Sequence, residues 1–328
     1  MKFYFAPMEG ITQYPLRNTH KEMFGDSIDK YFTPFLTASS THHFKNREKK
    51  DALPENSSSF ANYKEEIVPQ IMAGNAENFI WAAHEMHKLG YSEVNLNLGC
   101  PAPTVVNRRK GAGLLQDPTY LDEMLKEIFT ALSEDDIAIS LKTRLGFTDV
   151  AEAEALMGIY ASYPVKELTI HARVREDYYK NSARIEAFDR AVDIYREKGG
   201  KADICFNGNI FSKEGLERFS KESRVYSEVS AIMLGRGLLS DPALARQLKG
   251  GAPLDKEELK SYLKRLYEEY EKMISEDRNV IFKLLEHWAF LNSRFKDSDK
   301  YIKAIRKARS RGEYMAAVSN LFAKCDFM

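Results

Sequence analysis

The residues of this 328-residue chain that could do chemistry stand one by one at the ends of short apolar runs. Cys100 lies in Asn97-Leu98-Gly99-Cys100-Pro101, a turn sequence that follows the fourth apolar run. A thiol with an ordinary pKa of about 8.5 is mostly protonated at neutral pH and can act as an acid. Lys142 and Arg144 close one run, and His171-Ala172-Arg173 closes the next. A lysine and an imidazole brought to one mouth stabilise an anion. Gln70 offers a donor and an acceptor to an amide-like ring edge. Asn207-Gly208-Asn209 and Gly235-Arg236-Gly237 expose backbone N–H groups beside a guanidinium, a combination that suits a phosphate. Together these groups describe a flavin mononucleotide (FMN) pocket, with a cation placed for a ring that gains negative charge on reduction. Each has a plainer reading alone: a surface lysine, a hydrogen-bonded core histidine, a glycine turn.

The elements that must carry these groups alternate over the first 250 residues. Runs at 2–6, 31–36, 67–72, 92–97, 137–143, 166–171, 203–207 and 230–235 read as strands, with helical spacing between them, as at 76–89 and 119–132. Eight such units suit a (β/α)8 TIM barrel, whose active site gathers at the C-terminal ends of the strands. A doubly wound sheet shows the same alternation and stays open at this point. After Gly250-Gly251-Ala252-Pro253 the β-type runs stop. Asp255 and Glu258 are spaced as a capping box, opening a helix with Leu259, Tyr262, Leu266, Tyr270 and Met273 on one face. Helical patterns follow at about 280–292, 299–309 and 313–324, so the chain divides into a barrel at 1–249 and an all-helical unit at 250–328. Residues 42–62 read as a polar loop.

Composition bounds the rest. Forty-eight Lys and Arg balance forty-eight Asp and Glu, while residues 252–328 hold 16 basic against 13 acidic groups and the remainder 32 against 35. Three cysteines without CxxC spacing argue against disulfides and structural zinc, and no metal is expected. Cys205, inside Asp203-Ile204-Cys205-Phe206, reads as a buried hydrophobe. No stretch approaches the roughly 18 apolar residues of a membrane span. The expectation is a cytoplasmic protein, monomeric and without an obligate protein partner.

The segments APMEG, PQIMAG, NLNLGCP with GAGLL, LKTRLG, IHAR, FNGNI and IMLGRG, in this order across residues 5–242, resemble those of the flavin-dependent tRNA-dihydrouridine synthases. The resemblance implies an FMN barrel reduced by NADPH that saturates the C5=C6 bond of a uracil in tRNA. It makes Cys100 the proton donor. It makes Pro7, Met8, Gln70, Lys142, His171, Asn207, Gly208, Asn209, Gly235 and Arg236 the flavin contacts. Asn97 and Arg144 correspond to positions that hold the target base, with Arg173 at the same mouth. Lys300, Lys303, Lys307 and Arg311, within about 80° of one helix face, would meet tRNA phosphates, and Arg108, Arg109 and Lys110 form a second basic cluster. The chain departs from the family pattern at Asn209 and Asn95, where acids are usual. It also departs at Ile185, near an expected tryptophan, and in residues 177–181, which lack the usual glycine. Two other readings remain: an FMN barrel acting on a small molecule, and a non-catalytic RNA-binding protein.

Overall fold

The computed structural model describes residues 1–178 and 181–328, so the departure at 177–181 falls partly outside the described residues. Ten parallel strands form one sheet: β1 (Lys2–Phe5), β2 (Lys30–Phe32), β3 (Leu36–Thr37), β4 (Ile67–Val68), β5 (Gln70–Met72), β6 (Glu93–Asn97), β7 (Ala138–Gly146), β8 (Glu167–Val174), β9 (Asp203–Asn207) and β10 (Val229–Leu234). The order runs β3-β5-β6-β7-β8-β9-β10-β1-β2-β4. Both ends of that order come from the same two segments, because β2 pairs with β4 and β3 with β5. The sheet therefore closes on itself as a barrel of eight positions, and the doubly wound alternative is excluded.

Each of the expected second and third strands is split in two, and the cause is local. Pro34 and Pro69 have no N–H to give to the ladder. The gap is bridged by the Thr33 hydroxyl, which accepts from the Gln70 N–H (3.0 Å), and by the Thr33 N–H donating to the Val68 carbonyl (3.1 Å).

Strand alternation sorts the side chains into two layers. Val94, Leu96, Ile139, Leu141, Leu168, Ile170, Ile204 and Phe206 point outward into the core under the helices. Tyr4, Phe32, Val68, Cys205, Ala231 and Met233 form a separate apolar cluster inside the barrel, so Cys205 packs as expected. The interior is polar elsewhere. At its N-terminal end, Lys30 bridges Glu93 (3.0 Å) and Glu167 (3.4 Å), and the Tyr4 hydroxyl donates to Glu167 (2.7 Å). Burial pushes the Glu93 carboxyl up, but Lys30 and Lys166 outweigh this and hold it below its usual value.

Beyond residue 252 the regular elements among the described residues are all helices, apart from one isolated bridge, Phe295 to Phe327. The helix Lys256–Met273 is capped by Asp255, which accepts from the Glu258 N–H (2.8 Å). Glu258 does not complete the box; it forks onto Arg246 (2.6 and 2.7 Å) and ties this helix to the barrel. Leu259, Tyr262, Leu266 and Tyr270 are buried, Met273 only half so. Helices Asp277–Leu291, Asp299–Lys307 and Arg311–Lys324 follow. Residues 42–62 are less loop-like than expected. Short helical turns lie at Asn46–Lys49 and Pro54–Asn56, and Phe44, Ala52 and Phe60 are buried. No helix among the described residues is long and apolar enough to cross a membrane.

Candidate active site at the barrel mouth

Strand register brings the polar strand ends to one level. Asn97 lies opposite Lys142, and Arg144, His171 and Asn207 lie in successive rungs. Over them opens a cavity of about 370 Å³, in the range of small-molecule sites. Pro7, Met8, Gln70, Asn97, Cys100, Lys142, Arg144, His171, Arg173, Asn207, Gly208, Gly235 and Arg236, all singled out in the sequence, line it.

Cys100 is placed by its own turn. Asn97 Oδ1 accepts from the N–H groups of Gly99 (3.1 Å) and Cys100 (2.9 Å), folding the chain back over the end of β6. The Asn97 amide donates to Gln70 Oε1 (2.7 Å), and Gln70 donates in turn to Asn95 Oδ1 (2.8 Å). Each amide keeps a second N–H for a ligand. The loop after Cys100 returns to it, with the Ala112 N–H donating to the Cys100 carbonyl (3.0 Å). Gly111 permits that closure: its φ is +55°, and a Cβ there would lie 3.0 Å from the Cys100 Cβ. Burial pushes the Cys100 thiol above its usual pKa, and Glu9 adds to the effect, so the group stays protonated at neutral pH.

The same cavity is lined by a concentration of positive charge. Lys142 donates to Asn207 Oδ1 (3.0 Å), and burial, followed by the nearby Arg144, brings its pKa down to about 8. Arg144 is buried and holds the turn, donating to the carbonyls of Gly99 (2.6 Å) and Val174 (3.1 Å). Arg173 NH1 lies 2.9 Å from His171 Nε2. A guanidinium can only donate, so Nε2 is the acceptor and the ring proton sits on Nδ1. Burial and then Arg144, Lys142, Arg173 and Arg236 hold His171 well below its usual pKa, as a neutral ring.

Asn209 is placed otherwise than expected. It does not line the cavity but stands behind it, where its Oδ1 accepts from Arg173 (2.8 Å) and Arg236 (3.2 Å) and orients both. It borders a second cavity of about 220 Å³ together with Ile185, Phe206 and Phe219. Ile185, near an expected tryptophan, is part of the lining of this second cavity. The sequence reading missed Glu9, Phe35, Tyr178 and Phe211, which also line the mouth. The strain at Tyr178 (φ +47°) carries no signal in the sequence, and Phe211 is picked out only by the Arg236 guanidinium 5.5 Å above its ring.

The basic tail residues lie outside this cavity. Lys300, Lys303 and Lys307 are exposed on the helix Asp299–Lys307, opposite buried Ile302 and Ile305. Arg311 does not continue their face. The helix stops before Ala308, whose ψ of +138° is extended, and Arg311 opens the next helix, paired with Glu271 (2.9 Å) and Glu268 (3.7 Å).

The buried cations, the amide relay and the protonated thiol converge at the C-terminal end of a TIM barrel, the end at which enzymes of this fold carry their active sites. The chain belongs to the dihydrouridine synthase family, whose model matches residues 4–326. Over 241 residues it is 30% identical to the probable tRNA-dihydrouridine synthase 2 of Bacillus subtilis, covering 73% of this chain and 70% of that protein. It is 27% identical over 247 residues to a probable tRNA-dihydrouridine synthase of Staphylococcus aureus, covering 73% and 69%.

Proposed function

We propose that the protein is an FMN-dependent, NADPH-driven tRNA-dihydrouridine synthase in which Cys100 gives the proton to uracil C5. The observation that carries this reading is that a protonated thiol on a closed loop and a group of buried cations line one cavity. The donor set suits FMN. Lys142 and neutral His171 face the space for a ring that gains charge, while Gly208, Gly235, Arg173 and Arg236 gather N–H donors for a single phosphate. A flavin held by these residues would supply the hydride that uracil C6 accepts. Gln70 and Asn97 offer N–H groups to carbonyl edges, and Arg144 keeps the Gly99–Cys100 turn in place. Cys100 then transfers its proton to C5, and its thiolate is reprotonated from solvent at the cavity mouth. The target base must leave its stack to enter. We assign residues 250–328 to tRNA binding, with Lys300, Lys303 and Lys307 on phosphates.

Two measurements test this reading. Denatured holoprotein releases FMN, identified by chromatography, and NADPH-reduced enzyme is reoxidised by unmodified tRNA with dihydrouridine formed. Release of FAD, or reoxidation by a small enone but not by tRNA, overturns it.

A further inference from the structure

The basic cluster Arg108, Arg109 and Lys110 is part of a larger basic surface on the barrel rim. Segments 42–50 and 107–110 contain seven Lys and Arg and one acid, in a chain of zero net charge whose first 251 residues are net acidic. The two segments meet. The Lys110 ammonium reaches under the 38–50 segment and donates to the Ala38 carbonyl (2.7 Å). Glu48, the one acid, is turned inward, its carboxylate accepting from the Thr37 N–H (2.7 Å), with Lys45 3.6 Å away. Lys45 and Lys49, one helical turn apart, project from the same side and are exposed, as are His42, His43, Arg108 and Arg109. Lys49, Arg108 and Arg109 make no ion pair with a carboxylate among the described residues. Elsewhere on the surface, cations such as Arg196, Arg224 and Arg265 are matched by acids. Like charges held this close repel one another, and Lys110 is pushed below its usual pKa by burial and then by Arg108. An anion with repeated charges relieves that repulsion.

The position of the rim matters as much as its charge. Arg108 and Arg109 form the tip of the loop whose two ends are joined at Cys100 and Ala112. Arg109 holds a φ of +50°, and its carbonyl lies against Gly74. A polyanion lying across this tip passes within one short loop of the thiol. We propose that this rim is a second RNA-backbone site, holding the phosphates that flank the nucleotide presented to Cys100. This inference rests on the proposed function.

The test uses full-length holoenzyme and an unmodified tRNA transcript. In the variant Lys45→Gln, Lys49→Gln, Arg108→Gln, Arg109→Gln, the slope of log affinity against log salt flattens by roughly 2–3 units, at about 0.7 for each lost contact. Flavin content, flavin reduction by NADPH without tRNA, and the melting temperature stay at wild-type values. The control Lys198→Gln, Lys201→Gln, at the opposite end of the barrel, keeps the wild-type slope. An unchanged slope in the rim variant overturns the inference, as does an equal loss in the control. Wild-type enzyme that forms no dihydrouridine counts instead against the proposed function, a result read separately from the slope.

Discussion

At the residue scale, the site is built from groups whose protonation is set by burial. A thiol kept protonated serves as a proton donor better than as a nucleophile. In Cys100→Ala, flavin content and NADPH oxidation by oxygen stay near normal, because neither uses that proton. Dihydrouridine formation falls by roughly 10²–10⁴-fold, the usual cost of losing a positioned acid. Single-turnover mixing of reduced enzyme with tRNA decides the matter, and a wild-type rate would make Cys100 a packing residue of its loop. Lys142 makes a second prediction. Its pKa of about 8 lies below the ordinary lysine value, so the empty site loses this charge as the pH rises through 8. If the charged form attracts the flavin, apoprotein affinity for FMN weakens above pH 8, by up to about tenfold per pH unit. Fluorescence titration from pH 7 to 10 measures this, and Lys142→Met should flatten the profile. A flat profile in wild type would remove Lys142 from cofactor binding.

At the element scale, helix ends decide which residues share a face. Periodicity alone places Lys300, Lys303, Lys307 and Arg311 on one stripe, but the extended backbone at Ala308 divides them. Arg311 is instead a strut. Its backbone N–H donates to Asp277 (2.7 Å), and its guanidinium lies 5.3 Å over the Tyr267 ring while pairing with Glu271. Replacing the three lysines with Ala should therefore flatten the salt dependence of tRNA binding by about 2 units, at roughly 0.7 for each lost contact. Arg311→Ala should leave that slope alone and lower the melting temperature. The opposite pattern would return Arg311 to the RNA surface. Elements also join the two parts of the chain: Lys283 donates to the Gly10 carbonyl beside the Pro7–Met8 turn, and Arg294 pairs with Asp241.

At the scale of the whole molecule, the junction between barrel and helices encloses titratable groups. His20 is held between the Tyr31 hydroxyl (2.8 Å) and the Pro242 carbonyl (2.9 Å), and His287 lies against Tyr270 (2.9 Å). Burial lowers them to about 4 and about 3. Their neutral forms are favoured in the fold, so their contribution is complete above the ordinary histidine pKa of about 6.5 and lost as the pH falls below it. Between about pH 6 and 4.5 each contributes a slope of roughly 1.4 kcal/mol per pH unit. Asp51, raised to about 6 by burial, opposes them, because its protonated form is favoured. The informative quantity is therefore the difference between wild type and His20→Gln, His287→Gln. Denaturant titrations over this range should show the smaller acid loss in the variant, and equal losses would exclude these two histidines as its source.

Much of this could be read along the chain, because strand alternation and strand-end chemistry are local. A run such as Glu93-Val94-Asn95-Leu96-Asn97 states which side chains face inward, and Asn97-Leu98-Gly99-Cys100-Pro101 states where the turn must come. The eight units, the helical tail and the lining of the cavity followed from such patterns. Tertiary structure decided what depends on partners distant in sequence. Closure of the sheet required β2 and β3 to meet β4 and β5 across two prolines. The neutral state of His171 depends on its burial and then on guanidiniums from three strand ends, and Asn209 stands behind the cavity, where Arg173 and Arg236 both reach its oxygen. The two segments of the rim beside Cys100 meet where Lys110 reaches the Ala38 carbonyl, 72 residues away along the chain. Spacing along a sequence gives a side chain's direction on its own element, whereas its charge state and its neighbours are set by whatever the fold packs against it.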